Sequence, residues 1–588
     1  MSPAAFTLAL RGAALVAAVA LAYWGALAAP FFFDDADAVV NNPTLRGGLR
    51  AALAPPADGS AVTGRPLVNA TFALDHALHG LSPRGFRLAN VALHAASTLL
   101  LFGLIRRLLS SANAQPSTFN PTAAIAAAAW SLHPLQTESV ICIAQRTELL
   151  CGFFYLLTLY AFARGWLVLS GVACLFGMAS KEVMVTAPLV VLLLDRTFVA
   201  GSFAAAWRAR RGYYLALAAT WLLLAALVVS AGGSRGVAAG FNRGISSWSY
   251  LLTQAEALVL YVRLALWPHP LVLDYGTAVA PGLGAVWGQG LLVLAALAAT
   301  VWALVRRPVL GFFGAAFFLI LAPSSSVVPL VTQTLAEHRM YLPLAALTVG
   351  FALLVQRHLA VGLLVVLVLG GATALRTRDY RDAVTIWSDT VAKRPLNARA
   401  HHNLALAQQA GGDVEAAHRA FARVIELAPD YAPARFNGGV ALLARGRFAE
   451  ASAQLAEAAR LSPALRNEAK FADAQFELGR LAERDGDLAA AEAKFREALD
   501  LAPDHLGARS RLGLMFARAG RLEPAAAQFR AVIAARPADA EAHANLGNVL
   551  LLLGRPREAL ASYETADRLK PGDPRTAENI RLAREALR

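Results

Sequence analysis

Eleven apolar segments precede Arg376 in this chain, and they restrict its fold more than any other feature. A helix that crosses a bilayer needs about 20 mainly apolar residues, and fewer where other helices surround it. The mean hydropathy of the whole chain, +0.48, is high for an ordinary soluble protein. We therefore predict an all-α fold that begins with a polytopic transmembrane helix bundle of about 11 spans. The segments lie near residues 8–30, 87–105, 121–140, 148–163, 166–180, 183–198, 213–231, 285–305, 309–322, 340–356 and 359–375.

The charged residues are distributed unevenly, which indicates a domain boundary near residue 375. Only 12 of the 40 acidic residues precede Arg376. This shift predicts a transmembrane domain over residues 1–375 and a water-exposed domain over 376–588. The net charge of +14 forms no basic stripe with interleaved aromatic residues, so nucleic acid is not an expected partner. The positive charges lie in pairs between apolar runs, as they do in membrane proteins.

The positions of these arginine pairs predict an orientation in the membrane. Pairs such as Arg106-Arg107 and Arg306-Arg307 fall on one side only if residues 248–267 do not cross the bilayer. That segment has apolar residues at helical spacing and several polar ones, which favours an interfacial amphipathic helix. The N-terminus is then cytoplasmic and the C-terminal domain is exported. For a bacterial protein, this means the periplasmic side of the inner membrane.

Prolines in the C-terminal domain recur about every 34 residues, which is the period of the tetratricopeptide repeat (TPR), a pair of antiparallel helices. The interval between Pro463 and Pro503 is longer than the others and implies a six-residue insertion. We therefore predict an α-solenoid of about 5.5 repeats over residues 376–588. The prolines are Pro395, Pro429, Pro463, Pro503, Pro537 and Pro571.

Small and aromatic residues recur in the same register as the prolines. Small residues in the first helix of each repeat predict a close approach to the second helix. A solenoid alone does not identify a partner, so both an arm that holds an acceptor and a general protein-binding surface remain open. The small residues are Ala405, Gly439, Gly479, Gly513 and Gly547, and the larger ones are Trp387, Phe421, Leu455, Phe495, Phe529 and Tyr563.

The predicted orientation assigns every acidic residue of the first domain except Asp195 to the exported face. The longest loop on that face covers residues 31–85, and it begins with the adjacent carboxylates Asp34 and Asp35 directly after the first span. Ionisable residues at membrane depth are energetically unfavourable and point to function. Any chemistry is therefore expected on the exported face.

Several short segments follow one another in an order that resembles a known family. They are Asp34-Asp35, residues 65–67, 132–140, 146–150 and 180–182, Trp267-Pro268 leading to Asp274-Tyr275, and residues 337–343. Together with the repeat tail, they resemble the transmembrane and TPR repeat-containing O-mannosyltransferases and their bacterial relatives, within the GT-C glycosyltransferases. The resemblance implies transfer of a sugar, mannose in that family, from a polyprenyl-phosphate donor. The implied acceptor is a hydroxyl group of protein Ser or Thr on the exported face.

The residue types fit such a reaction. Attack by a hydroxyl group on an anomeric carbon needs a general base, and either Asp35 or Asp34 is the expected catalytic residue. A single displacement with one base inverts the anomeric centre. The departing phosphate needs cationic stabilisation. The expected donor phosphate-binding residues are Arg146, Lys181, Arg339 and Arg65, and the expected substrate-binding residues are His133, Glu138, Glu182 and Tyr341.

Other interpretations of the same residues remain open. Asp34 and Asp35 could only solvate the end of the first span, or they could bind a divalent metal. Adjacent carboxylates rarely chelate without a third ligand, so we expect neither a metal site nor a required cofactor. His133 could be a hydrogen-bonded turn residue, and Lys181 and Glu182 could form an internal ion pair. The alternative functions are a non-catalytic, membrane-anchored TPR scaffold and a ligase that transfers a preassembled glycan from a lipid pyrophosphate.

Overall fold

The computed structural model of the chain describes residues 3–112, 121–232, 245–463 and 469–588. The chain forms two compact units, Met1–Ala400 and His401–Arg588. Within the described ranges, the regular elements are helices and no β-strand occurs. The predicted all-α fold class is therefore confirmed. The domain boundary after residue 375 stays a prediction, since the division into compact units falls after Ala400.

Helices of the first unit cover most of its length, with short 3-10 turns between them. The bounds are α1 (Pro3–Tyr23), α2 (Gly48–Ala52), α3 (Pro66–His79), α4 (Pro83–Ala112), α5 (Pro121–Ser131), α6 (Thr137–Ile141), α7 (Arg146–Ala163), α8 (Leu167–Met178), α9 (Ala187–Phe198), α10 (Phe203–Ser230), α11 (Ser247–Leu266), α12 (Leu283–Arg306), α13 (Pro308–Leu321), α14 (Leu344–Leu354), α15 (Leu359–Arg376) and α16 (Ala383–Lys393). Helix α4 packs against α1, α3, α5 and α7, so it lies at the centre of this unit.

Each of the eleven predicted segments contains a helix, but the segment at 121–140 is not one continuous helix. Helix α5 ends at Ser131, a 3-10 turn covers Pro134–Gln136, and α6 follows. Proline has no amide hydrogen to donate, and it drives the residue before it out of the helical region. His133, which precedes Pro134, accordingly has an extended backbone with φ −74° and ψ 133°.

Five helices among the described residues are long and apolar enough to cross a membrane. They cover Ala5–Ala28, Pro83–Ser110, Phe203–Ser230, Leu283–Arg306 and Leu359–Tyr380. A sixth candidate is the pair Pro134–Ile141 and Ile143–Ala163, which is bent by 100°. Three shorter apolar helices cover Leu167–Met178, Pro308–Leu321 and Leu344–Leu354. The count of eleven spans therefore stays a prediction, while several apolar helices are a property of the structure.

The outer surface of the bundle is strongly apolar, as α12 illustrates. None of the 18 residues in the most apolar stretch of this helix is buried by the rest of the protein. A soluble protein rarely exposes an apolar patch of this extent, so the surface is suited to lipid and the chain is a membrane protein. The large apolar residues exposed on α12 are Leu283, Trp287, Leu291, Leu292, Leu294, Leu297, Val301, Trp302 and Val305.

Helix α11 corresponds to the segment predicted to lie along the membrane surface. It is not among the helices with the length and composition of a span. One face buries Tyr250, Ala257 and Tyr261, whereas Trp248 and Leu266 are exposed. Its location at the interface stays a prediction.

The second unit is built from helix pairs. Helix α17 (Ala398–Ala410) begins just before the unit and continues into it. The helices that follow are α18 (Val414–Leu427), α19 (Ala432–Ala444), α20 (Phe448–Leu461), α21 (Ala469–Arg484), α22 (Leu488–Leu501), α23 (Leu506–Arg518), α24 (Leu522–Ala535), α25 (Ala540–Leu552), α26 (Pro556–Leu569) and α27 (Pro574–Glu585). The predicted six-residue insertion falls partly on residues 464–468, outside the described residues.

The predicted close contact between paired helices is confirmed. A Cβ atom added at Gly513 would lie 2.8 Å from the ring of Phe529, and one at Gly547 would lie 2.6 Å from the ring of Tyr563. Real Cβ atoms do not come so close to other atoms, so only glycine fits these positions. The repeat register is therefore a packing constraint between the two helices of each pair.

Candidate active site

The two adjacent carboxylates predicted as the general base have different surroundings. Asp35 is fully buried. Its Oδ1 accepts a hydrogen bond from the backbone N–H of Ala144 at 2.8 Å, and its Oδ2 accepts one from the backbone N–H of Phe32 at 3.4 Å. The guanidinium group of Arg87 lies 4.0 Å from the same carboxylate. Asp35 thereby connects the chain after α1 to the start of α7.

Asp34 remains partly exposed, and no donor among the described residues lies within hydrogen-bond distance of its carboxylate. Burial raises the pKa of Asp34 to about 6, while the positive charge of Arg399 opposes this rise. The negative charges of Glu138, Asp274 and Asp37 also raise the pKa. Asp34 can therefore change its protonation state near neutral pH, which suits a general base.

Two further ion pairs lie side by side, because the charge of Arg65 acts on Lys181. Lys181 pairs with Glu148, and Arg65 lies 3.5 Å from Glu182. Burial lowers the pKa of Arg65 to about 10 and also lowers the pKa of Lys181, whereas the charge of Asp34 acts on Arg65 in the opposite direction. The Nε atom of Arg65 is buried, and no described residue accepts a hydrogen bond from it. Within the described part of the chain, the Arg65 guanidinium group therefore has one N–H donor without an acceptor.

Arg65 and Lys181 line a small cavity. Its other walls are Gly64, Met178 and apolar residues at the end of α10. Gly64 has a positive φ of 70°, and a Cβ atom there would lie 3.3 Å from the side chain of Ala231, so the loop before Arg65 runs close to the end of α10. Two cations over an apolar wall form a pocket with the chemistry of an anion site.

A second polar cavity lies beyond the ion pair of Lys181. Glu148, Arg339 and Ser324 contribute its polar lining. Residues Ile320 and Leu342 line this cavity and also line an apolar cleft of ≈ 50 Å³ among α4, α7, α9, α13 and α14. The two spaces are therefore neighbours, one polar and the other apolar.

Arg339 holds the loop that precedes it. Its NH1 atom donates to the carbonyl groups of Ser324 and Thr334 at 3.2 and 3.1 Å and to the Tyr250 hydroxyl group at 3.3 Å. Its NH2 atom donates to the carbonyl group of Gln333. No carboxylate among the described residues forms an ion pair with Arg339. Its positive charge is therefore not neutralised by a direct partner.

Glu138 forms a buried pair with His338. Its Oε1 lies 2.6 Å from the Nδ1 atom of His338, and its Oε2 accepts from the backbone N–H of the same residue at 3.0 Å. Its charge also acts on Asp34 and Glu337. Burial raises the pKa of Glu337 to about 7. Acidic residues predicted to share one face thus come together from separate parts of the sequence.

Arg146 has a different set of partners from the other three arginine and lysine candidates. It forms an ion pair with Asp75, its Nε donates to the Asn90 side chain at 2.7 Å, and its NH2 atom donates to the Phe86 carbonyl group at 2.6 Å. Its side chain is 1% exposed. These contacts give Arg146 an internal bridging position between α3, α4 and α7.

His133 and Tyr341 are also engaged within the protein. The Nδ1 atom of His133 accepts from the backbone N–H of Leu135 at 3.2 Å, and its Nε2 atom lies 3.0 Å from the Ala265 carbonyl group. The Tyr341 hydroxyl group lies 3.0 Å from His94, and the residue is 1% exposed. Both residues have the contacts of structural groups.

Two residues at this site were not among the predicted site residues. Asp274 has no exposed side-chain surface, and both of its oxygens accept hydrogen bonds from Arg399. Asp274 belongs to one of the segments that resemble the family, so the sequence did contain a signal that could have identified it. Arg399 had no such signal, because it lies among the repeats, and only the long-range contact with Asp274 reveals it. The described residues contain no group of three or more His, Cys, Asp or Glu side chains arranged to hold a metal ion.

The fold and these contacts define a membrane protein with a polar site among its loops and a C-terminal repeat unit. A family profile described as "Tetratricopeptide repeat" matches residues 370–417, 402–465, 453–506 and 510–574. Among solved structures, the chain is similar to YrrB, a TPR protein with an unusual peptide-binding site, at 22% identity and a TM-score of 0.28. That match covers 34% of this chain and all of YrrB.

Curated relatives of the chain are protein O-mannosyl-transferases of the TMTC family. The chain is 23% identical to F38B6.6 of Caenorhabditis elegans over 71% of this chain and 62% of the relative. It is 29% identical to Tmtc2 of Drosophila melanogaster over 45% of this chain and 30% of the relative. The mouse protein TMTC4 is 24% identical over 64% of this chain and 60% of the relative. The predicted resemblance is confirmed, and the chain spans less than two thirds of the length of each of these relatives.

Proposed function

We propose that this chain is a membrane glycosyltransferase that moves a sugar from a polyprenyl-phosphate donor to a protein hydroxyl group. The relatives named above support sugar transfer, and their names support mannose as the sugar. The observation that carries the proposal is the partly exposed carboxylate of Asp34, which has no hydrogen-bond donor among the described residues and whose charge acts on Arg65.

In the proposed reaction, Asp34 is the general base. The acceptor oxygen attacks the anomeric carbon, and its proton passes to the Asp34 carboxylate. The bond between the anomeric carbon and the phosphate oxygen breaks, and the phosphate leaves with the bonding electrons. A single displacement of this kind inverts the anomeric centre. Asp35 supports the turn, because both of its oxygens already accept hydrogen bonds.

Arg65 and Lys181 are the proposed partners of the leaving phosphate. The buried Nε atom of Arg65 has no acceptor in the part of the chain that the structure describes, and a phosphate oxygen would supply one. Arg339 faces the neighbouring polar cavity and has no ion-pair partner among the described residues. We propose that it contributes positive charge to the same donor site. Arg146 is not part of this proposal, because its donors are used inside the protein.

The apolar cleft supports a lipid-linked donor. It lies next to the polar cavity through the shared residues Ile320 and Leu342. A polyprenyl phosphate has the same two parts, an apolar chain and an anionic head. We propose that the chain of the donor enters among α4, α7, α9, α13 and α14 while its phosphate remains with the cations.

The repeat unit is the proposed acceptor-binding part. Stacked TPR helix pairs form extended surfaces that bind peptides and proteins in many repeat proteins. We propose that this unit and the site share the exported side of a bacterial inner membrane. An exported-only reporter fused after Arg588 should be active if this orientation is right, whereas an inactive reporter would contradict it.

The test of the reaction uses the purified full-length protein in lipid vesicles, polyprenyl-phosphate mannose and a mixture of exported proteins. Mass spectrometry should identify mannose on Ser or Thr residues. The variant Asp34→Asn should reduce transfer by about 100-fold or more, because general base catalysis contributes about 10²–10⁴. The matched control is Asp58→Asn, which changes an exposed carboxylate in the same loop.

Three outcomes would contradict parts of this proposal. Full activity of Asp34→Asn would exclude Asp34 as the base. Transfer from a lipid pyrophosphate but not from the monophosphate would favour the ligase. If no sugar is transferred from either donor while exported proteins still bind the repeat unit, the chain is a scaffold.

A further inference from the structure

The turn that carries Asp34 is held by residues that follow the last apolar helix. The ring of Phe32 packs on Tyr380 with a centroid distance of 5.7 Å, and the ring of Phe33 packs edge-on against Trp387 at 5.4 Å. Tyr380 ends a 3-10 turn after α15, and Trp387 belongs to α16. Both belong to the first match of the repeat profile, residues 370–417.

The backbone of this turn needs such support. Phe33 has φ 53°, the left-handed region, and among the described residues it is the sole non-glycine residue with a positive φ. A bulky side chain rarely adopts this conformation, because its Cβ atom crowds the backbone. Strained residues of this kind persist only where surrounding contacts hold them, and they concentrate at functional sites. The contact with Trp387 is one such support for the residue directly before Asp34.

Arg399, in the first turn of α17, makes the second contact with this region. Its Nε donates to the Oδ2 atom of Asp274 at 2.8 Å, and its NH2 donates to Oδ1 of the same carboxylate. It also donates to the carbonyl group of Thr332. The centre of its guanidinium group lies 5.9 Å from the ring of Phe33. One side chain therefore connects the Phe33 turn, the Asp274 loop and the loop at Thr332.

The loop around Asp274 is anchored twice more by the same segment. Asn397 donates from its side chain to the Asp274 carbonyl group at 2.9 Å and to the Asp274 Oδ2 atom at 3.2 Å. Lys393 donates to the Leu271 carbonyl group at 2.9 Å. The orientation of Arg399 is thus fixed by several neighbouring contacts, as a positioning function requires.

The charges around Asp34 give Arg399 an electrostatic effect as well. The positive charge of Arg399 lowers the pKa of Asp34. The negative charges of three carboxylates, Glu138, Asp274 and Asp37, raise it. The charged or titratable groups that interact with Asp34 are Arg399, Arg65, Glu138, Asp274, Asp35, Asp37 and Cys142.

We propose that Arg399 is a positioning residue for Asp34: it anchors the strained Phe33–Asp34 turn to the Asp274 loop. The same contacts hold its positive charge where it favours the ionised form of the Asp34 carboxylate. This proposal rests on the proposed function for its catalytic meaning, but the structural claim is independent of activity. Residues 380–399, the part of the first repeat segment that lies in the first compact unit, are accordingly part of the site. Removing the repeats at residue 376 would remove a component of the site as well as a binding surface.

The experiment measures the protonation of Asp34 directly. A carbodiimide adds to protonated carboxyl groups, and mass spectrometry of peptides locates the adduct at Asp34. The rate of labelling is recorded against pH in the full-length protein in vesicles. The labelling midpoint is the pH at which this rate is half of its maximum, and it reports the protonation of Asp34. The variants are Arg399→Gln and Arg399→Lys. The matched control is Arg419→Gln, because Arg419 is an exposed arginine that pairs with Glu415 on α18.

We expect Arg399→Gln to move the midpoint upward by about one pH unit, since a nearby opposite charge shifts a carboxyl pKa by roughly 1 to 3 units. Arg399→Lys should move it less, and Arg419→Gln should not move it. A midpoint for Arg399→Gln that equals the wild-type value, or lies below it, would overturn the proposal.

A double variant covers the case in which Arg399→Gln does not fold because Asp274 is left unpaired. Combining Arg399→Gln with Asp274→Asn keeps the hydrogen-bonding groups and removes both charges. The midpoint should still rise, but by less, because Arg399 acts on Asp34 more strongly than Asp274 does. An unchanged midpoint would refute the electrostatic effect.

A transfer assay separates this inference from the proposed function. In Arg399→Gln, the pH at which the transfer rate falls on acidification, the acid limb of the pH–rate profile, should shift upward together with the labelling midpoint. Part of the lost rate should therefore return at pH 8. A uniform loss at every pH would mean a purely structural role and would overturn the proposal. If wild-type protein transfers no sugar, the proposed function fails, while the labelling midpoints still test Arg399.

Discussion

Acidification from pH 7 to pH 5 should reduce the rate of sugar transfer about tenfold, because Asp34 must be ionised to accept a proton. Burial raises the pKa of Asp34 to about 6. A carboxyl group with that pKa is about 91% ionised at pH 7 and about 9% ionised at pH 5, whereas an unperturbed aspartate would still be about 93% ionised at pH 5. The raised pKa thus places the acid limb in a measurable range.

The sign of this dependence follows from the role of the group. A general base is active when it is deprotonated, so the rate is full above the pKa and falls as the pH drops through it. The assay is the initial rate of transfer at saturating donor and acceptor between pH 4.5 and pH 8, in vesicles that remain intact over this range. The midpoint of the acid limb should be near 6.

A second carboxyl group is the natural control for this profile. Burial raises the pKa of Glu337 to about 7, so protonation of Glu337 could also produce an acid limb. The variant Glu337→Gln should keep the limb near pH 6, and the residual activity of Asp34→Asn should lack it. A rate that stays constant from pH 7 to pH 5 in the wild-type protein would refute the assignment of Asp34 as a base with a raised pKa.

Three further predictions concern stability and donor binding. Asp35→Ala should lower the free energy of unfolding by about 1–3 kcal/mol, because it leaves the buried N–H of Ala144 without an acceptor; an unchanged melting temperature would contradict this. Arg65→Gln should raise the KM for the lipid donor about tenfold or more, the value of one charged hydrogen bond, and leave the KM for the acceptor unchanged. Gly513→Ala should destabilise the repeat unit by about 1–3 kcal/mol, because the added methyl group meets the Phe529 ring, and limited proteolysis of the full chain should show this locally.

The sequence predicted the repeat unit in detail because its contacts are local and periodic. Each glycine of the register meets the large residue that the pattern pairs with it, and the pair recurs with the repeat, so the pattern itself carries the contact. The contact of Gly547 with Tyr563 is an example. Apolar composition likewise predicted helices in every expected segment of the bundle. The break in the segment at 121–140 could have been anticipated from Pro134, which interrupts helical hydrogen bonding.

The candidate site was only partly predictable. The order of the charged segments pointed to Lys181 and to residues 146–150, and Lys181 forms an ion pair with Glu148 of that segment in the structure. It gave no means of separating Arg146, which pairs with Asp75, from the cations that line the cavities. Which cation meets which carboxylate depends on contacts between distant parts of the chain, and a single sequence does not encode these in any local pattern.

Asp34 and Asp35 show most directly what the sequence by itself determined and what the tertiary structure decided. The sequence determined that two carboxylates follow the first apolar helix and that both could act as a base. The difference between them arises from the backbone N–H of Ala144, which is distant in sequence and occupies Asp35, and from Arg399, whose charge acts on Asp34 from the first repeat segment. Identical side chains acquire different chemistry because burial and hydrogen bonding are set by residues that only the fold brings together.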